Sequence, residues 1–190
     1  MFYGVAVKNA ELAWNDFDFV NGGGADNIQF SHEGKASGIS DGIVIANNIL
    51  RSSPLSTSGK GAIAVEGVVN CTISDNDVEG RFFGITANGT NVLVERNKVY
   101  ETDKSNPFSW GIGVSQDSEN VLIKDNIVEN ASRGFLISAS NPSAINRRVN
   151  INFENNKVKS CTTGLFIDVP YTGSQINNDF GRRASDIIIR

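Results

Sequence analysis

The sequence predicts an all-β solenoid: one chain wound into about six to seven coils of short strands stacked in parallel. Composition points there first. The 190 residues include 23 Asn, 19 Gly, 19 Ile and 17 Val, but only 7 Leu and 1 Met. Strands favour Val and Ile, helices favour Leu and Met, and turns favour Asn and Gly because both tolerate positive φ. An internal repeat is the second observation. A charge pattern that suits one stacking register is the third.

The repeat reads apolar-x-apolar-x-x-Asn-x-apolar. It occupies residues 43–50, 71–78, 92–99, 121–128 and 151–158. Leu12-Ala13-Trp14 reads as a degenerate first copy and Ile187-Ile188-Ile189-Arg190 as a partial last one. The aligned asparagines are Asn48, Asn76, Asn97, Asn126 and Asn156, at spacings of 28, 21, 29 and 30. A second segment, Gly followed by an alternating apolar pair, comes after each: Gly84-Ile85, Gly111-Ile112, Gly134-Phe135 and Gly164-Leu165, with Ala62-Ile63 after Gly61 similar but one residue longer. Fixed strands with variable insertions are the mark of a solenoid whose coils differ in loop length, with about three strands per coil.

Alternation along a strand puts every second residue on one face. Stacked in parallel, Cys71, Val92, Val121 and Ile151 form one inward column. Ile73, Val94, Ile123 and Phe153 form a second, and Val78, Val99, Val128 and Val158 a third. The five asparagines stack at a bend, where each amide donates to the next coil and accepts from the previous one. The outward column Ser74, Glu95, Lys124, Glu154, Arg190 alternates in sign from Glu95 onward. Asp77 falls beside Lys98, and Glu129 beside Lys159. A slip of one residue would bury these charges. The outward column Val44, Thr72, Leu93, Leu122, Asn152, Ile188 is apolar for a solvent-facing row and reads as a contact surface.

These repeats resemble the right-handed parallel β-helix of the pectin-lyase-like superfamily over roughly residues 4–190. That superfamily includes pectate lyases, polygalacturonases, alginate epimerases and bacteriophage tailspike depolymerases. The resemblance implies a single-stranded right-handed parallel β-helix forming one domain over 1–190. Through the tailspikes it also implies a polysaccharide as partner, a homotrimer, and a place in a virion tail or outside the cell. The expected function is binding and depolymerisation of a bacterial surface polysaccharide, by hydrolysis or elimination. The alternatives are a non-catalytic adhesin or fibre segment, and a bacterial polysaccharide lyase or epimerase. The last would require a cluster of Asp ligands with a catalytic Arg, Lys or Tyr, which the sequence does not assemble. Neither end carries an amphipathic cap helix, so the chain reads as a segment of a longer helix.

Other classes fall away on composition. With 39% hydrophobic and 20% charged residues and a net charge of -4, the chain is not disordered, and it has no basic excess for nucleic acid. No apolar run approaches the ~20 residues needed for membrane insertion, and Met1-Phe2-Tyr3-Gly4 does not open a signal peptide. One histidine, His32, argues against His-dependent chemistry. Cys71 is interior and Cys161 lies in a turn three rungs on, too distant for a disulfide. Asn21-Gly22-Gly23-Gly24 lacks the Gly-Lys-Ser/Thr of a phosphate loop. No cofactor or metal site is expected. Calcium is the one ion that clustered Asp and Asn oxygens on outer turns would suit, though no known ligand spacing is present.

Carboxylates and aromatics are the candidate functional groups. Asp75, Asp77, Asp125 and Asp168 are the candidate catalytic residues. Equivalent positions one or two rungs apart meet the 5–10 Å separation that glycosidases use, and Asp125 lies two rungs from Asp75. Turn chemistry alone also explains Asp beside the stacked asparagines. Asp117 and Glu119 occupy the bend after Gly111-Ile112-Gly113-Val114. The residues just before the strand-opening glycines are Lys60, Phe83, Trp110, Arg133 and Thr163, one rung-spaced column, with Arg81, Phe82, Phe108 and Tyr171 nearby. Aromatic faces stack on sugar rings, and Arg or Lys binds acidic substituents. Lys60, Arg81, Phe83, Trp110, Arg133 and Tyr171 are therefore the candidate substrate-binding residues.

Overall fold

A computed structural model describes residues 2–18, 26–31, 38–51, 61–79, 82–100, 102–138, 148–181 and 187–189, and every regular element among them is a strand. The strands form three faces of a parallel β-helix. The first face stacks Phe2–Val5, Ile28–Ser31, 61–66, 83–88, Trp110–Val114, Arg133–Ile137, Thr163–Ile167 and Ile187–Ile189 in that order. The second stacks Lys8–Ala13, Asp41–Ala46, 68–74, 89–95, Ser118–Lys124, Arg148–Glu154 and Gln175–Ile176. The third stacks Asp16–Asp18, Ile49–Arg51, Asp77–Glu79, Lys98–Tyr100, Ile127–Glu129 and Lys157–Lys159.

The expected inward columns form. Ile43, Cys71, Val92, Val121 and Ile151 are in register, as are Ile45, Ile73, Val94, Ile123 and Phe153, all at most 2% exposed. Leu50, Val78, Val99, Val128 and Val158 line the third face. The first face adds Ile28, Ile63, Ile85, Ile112, Phe135 and Leu165, each fully buried. Where the third face turns into the first, the chain at Gly84, Gly111 and Gly134 comes too close to the shaft for a Cβ, while Ala62 holds the equivalent place one coil before Gly84. A Cβ placed on Gly84 would lie 2.3 Å from Val99 Cγ1 and 2.4 Å from the Gly111 carbonyl oxygen.

The bend between the second and third faces holds the asparagine stack. The Oδ1 of Asn97 accepts both the main-chain N–H (3.0 Å) and the Nδ2–H (2.9 Å) of Asn76. Asn97 in turn donates from both nitrogens to Asn126 Oδ1 at 2.9 and 3.0 Å. The same pair of bonds links Asn48 to Asn76 and Asn126 to Asn156. The stack runs one coil further at each end than the repeat had indicated, to Asn15 and Asn178.

Three alignments are corrected by the register. Ile187, Ile188 and Ile189 pair with Leu165, Phe166 and Ile167 on the first face and do not close the Asn-bearing repeat. An all-isoleucine run fits any buried column, and the feature that decides is the asparagine: Gln175–Ile176 leads into Asn178, so it supplies the next second-face rung. Ile188 thus leaves the apolar stripe, which runs Glu11, Val44, Thr72, Leu93, Leu122, Asn152. Arg190, the charge expected to end the neighbouring column, is outside the described residues. The first repeat copy is Ala10-Glu11-Leu12, two residues before Leu12-Ala13-Trp14, because Asn15 must face Asn48. Gly61, not Lys60, lies opposite Phe83, because Ala62 rather than Gly61 stands in the place of Gly84.

Two columns share left-handed backbone. Asn47, Asp75, Arg96, Asp125, Asn155 and Asn177 have φ of 52–57°, each just before a stacked asparagine. Asn70, Asn91, Asn120 and Asn150 have φ of 52–57° within the second-face strands, each two residues after the strand's start. The latter four make a second amide ladder, exposed to solvent, with Nδ2-to-Oδ1 bonds of 2.8–3.1 Å.

Candidate functional site

The outer side of the first face carries the rung-spaced column. Phe83, Trp110, Arg133 and Thr163 are in register on four successive coils. The Phe83 and Trp110 rings stack at 3.6 Å with 22° between planes, and Phe82 meets Phe83 edge-on at 4.3 Å. One coil on, the Arg133 guanidinium lies 3.8 Å over the Phe166 ring and 5.8 Å from that of Phe108.

Beneath these side chains the outward positions of the strands are Ala64, Thr86, Gly113, Leu136 and Phe166. Thr86 and Phe166 are 6% exposed and Leu136 is fully buried, so this side of the sheet is covered. Trp110 supplies part of the cover. A Cβ on Gly113 would sit 2.6 Å from the indole Nε1, so the ring lies flat across that residue. Its N–H meets no acceptor among the described residues. Phe83 and Trp110 are themselves half-buried, so part of each ring reaches the surface at these rungs.

The other border of the face is polar. Asn88, fully buried, accepts the N–H groups of Ser115 (2.8 Å) and Gln116 (3.2 Å). Gln29 and Gln116 both donate to Glu66 at 3.4 Å. Arg148, 5% exposed, donates from Nη2 to the Ser115 carbonyl oxygen at 3.3 Å. Burial lowers its pKa, while the carboxylates of Asp117 and Asp168 act in the opposite sense. Thr90, Asp117, Ser118 and Glu119 line an open depression of about 180 Å³ beside it.

The four candidate catalytic carboxylates do not converge. Asp75 and Asp125 stand on the corner between the second and third faces with Arg96 on the coil between them. Arg96 binds Asp75 bidentately, at 2.8 and 2.9 Å, and holds its carboxyl below the usual range. Both aspartates also sit at left-handed φ (57° and 55°), which Asp tolerates better than most residues. Asp77 is on the third face opposite Lys98. Its neighbour Tyr100 is pushed up to about 12, by burial first and then by the Asp77 carboxylate. Asp168, exposed, is the one of the four on the polar border of the first face, near Arg148.

Of the candidate binding residues, Phe83, Trp110 and Arg133 form one column. Tyr171 belongs to the far end of the face, in the segment leading to the second-face strand Gln175–Ile176. There its hydroxyl accepts a bond from Gln175 Nε2 at 2.9 Å and its ring packs on the core. Lys60 and Arg81 lie outside the described residues. Sequence reasoning missed Phe166 and Arg148. For Phe166 a signal existed: Leu165-Phe166-Ile167 is apolar without alternation, which marks a strand covered on both sides. Arg148 carries no comparable mark. Among the described residues, no group of three His, Cys, Asp or Glu is gathered where a metal could be held.

No curated protein and no solved structure matches the chain. The family described as right handed beta helix region matches residues 4–180, nearly the whole chain. By that match, and by parallel strands wound on three faces, the chain belongs to the right-handed β-helix family.

Proposed function

We propose that this β-helix binds a bacterial surface polysaccharide along the outer side of its first face and cleaves it at the polar border of that face. One observation carries the binding half: Phe83, Trp110 and Arg133 stand in register on successive coils, with the two half-buried rings stacked on each other. Rungs repeat every ~4.8 Å and a chain of sugars repeats on a similar scale, so a long ligand can lie along the column. Aromatic faces take the C–H side of a pyranose, and a guanidinium takes an acidic substituent.

Cleavage is assigned to Asp117, which precedes the Ser118 paired with Arg148, and to Asp168, which follows the first-face strand one coil beyond Arg148. They stand two rungs apart, about 10 Å of axial rise, which leaves room for a water beside a bound sugar. Asp75 is not given this role, since its carboxylate is committed to Arg96.

The test is an array of bacterial capsular and O-antigen polysaccharides, followed by product analysis of those bound. Binding with release of reducing ends supports hydrolysis, and an ultraviolet-absorbing unsaturated product supports elimination. Binding without product removes the catalytic half and leaves an adhesin-like module. No binding to any polysaccharide removes the whole reading.

A further inference from the structure

We infer that residues 102–109 form a pinned arm that adds Phe108 to the glycan-binding surface, as a side wall beside Arg133; the inference rests on the carbohydrate reading above. The arm leads from the third-face strand Lys98–Tyr100 to the first-face strand Trp110–Val114. Its ends are buried, with Thr102 2% and Ser109 0% exposed. It is braced from within: Ser109 Oγ donates to the carbonyl oxygens of Asp103 (2.5 Å) and Asn106 (3.0 Å), and the Ser105 N–H donates to Asp103 Oδ1 at 3.1 Å. It is also tied at a distance. Lys104 Nζ donates to the carbonyl oxygen of Ser160, at 2.5 Å, two coils further along the axis.

Against this bracing Phe108 is 64% exposed, with its N–H held by Asn106 Oδ1 at 2.9 Å. A single exposed aromatic is ordinary on a protein surface. This one stands two residues from Trp110 and 5.8 Å from the Arg133 guanidinium, which itself rests on Phe166. Phe108, Arg133 and Phe166 come from three successive coils, so the wall follows the axis along which a glycan would lie. The ligand that suits this wall is a sugar ring with its C–H face on Phe108. Because the arm is ordered beforehand, binding need not order it.

The test measures affinity of the wild type, Phe108→Ala, Phe108→Tyr, Lys104→Ala and Trp110→Ala on the same polysaccharide array, with dextran as the neutral control, alongside each variant's Tm. Phe108→Ala should weaken binding about fivefold to tenfold with unchanged Tm, and Phe108→Tyr should restore it. Lys104→Ala should cost about twofold to threefold, by loosening the arm. Affinity of Phe108→Ala within twofold of wild type, while Trp110→Ala loses binding, overturns the inference and leaves the carbohydrate reading standing. Weaker binding that comes with a lowered Tm also overturns it, since the ring would then be structural. A wild type that binds nothing on the array overturns both.

Discussion

Asn97 and Asn120 both belong to rung-spaced amide ladders, yet Asn97 is 1% exposed and Asn120 lies open to solvent. Their reasons for being asparagine differ accordingly. Asn120 has φ of 55°, so its own backbone explains it, and its two ladder bonds, donated to Asn91 and accepted from Asn150, are in water. Asn97 leaves the left-handed position to Arg96 and is held by what its side chain does. It bridges two coils and also donates to the carbonyl oxygens of Ile73 and Glu95. The corner with the buried ladder is invariant: the third-face strand begins at the residue after each of Asn48, Asn76, Asn97, Asn126 and Asn156. The path from the third face back to the first is not. It spans residues 101–109 in one coil and 130–132 in the next, and it delivers the aromatic column and the arm. One corner keeps the coils stacked, and the rest of the perimeter is free to vary.

Breaking the buried ladder should have the largest effect. Asn97→Ala orphans buried main-chain groups on two coils and should cost about 3–5 kcal/mol in urea unfolding, or prevent folding. Asn97→Gly should be no better, because conformational freedom is not what that site lacks. Next comes Gly113→Ala, which forces the Trp110 ring off the sheet. It should cost about 1–3 kcal/mol and shift tryptophan emission to the red, against the steady contribution of the 79% exposed Trp14. On the exposed ladder, Asn120→Ala should cost about 1 kcal/mol and Asn120→Gly close to nothing, because the strained φ is then relieved. Equal losses for Asn97→Gly and Asn120→Gly would erase the distinction between the ladders.

The smallest effect is electrostatic. Arg96 lowers the pKa of Asp75 from its ordinary 3.8. A lowered folded-state value contributes stability that is present above the unfolded value and lost as pH falls through the folded one. The contribution should therefore fade below about pH 4, and Arg96→Gln should remove that fade. The change in Tm should stay within about 2 °C because the pair is exposed.

Most of the fold was legible because it rests on strict periodicities. Alternation placed the inward columns, and the asparagine spacing placed the bend. The same logic failed at Ile187–Ile189, where a run of one residue type carries no phase, and at Trp14, where the first rung has Ala10 in place of a branched residue. The site was legible only in part. Phe83, Trp110 and Arg133 aligned because they precede the strand-opening glycines. The carboxylates misled because Asp serves left-handed turns as readily as catalysis, as at Asp75 and Asp125. Arg148 lies at the start of a second-face strand that follows a long insertion, and repeat spacing says nothing about what an insertion brings near.

The most direct test of the account is a side-by-side measurement of polysaccharide affinity for Trp110→Ala and Asn120→Ala. Trp110→Ala should lose binding while its fold persists, and Asn120→Ala should bind as wild type despite a lower Tm. Retained binding without the indole, or equal losses in both variants, would contradict a glycan surface built on the aromatic column.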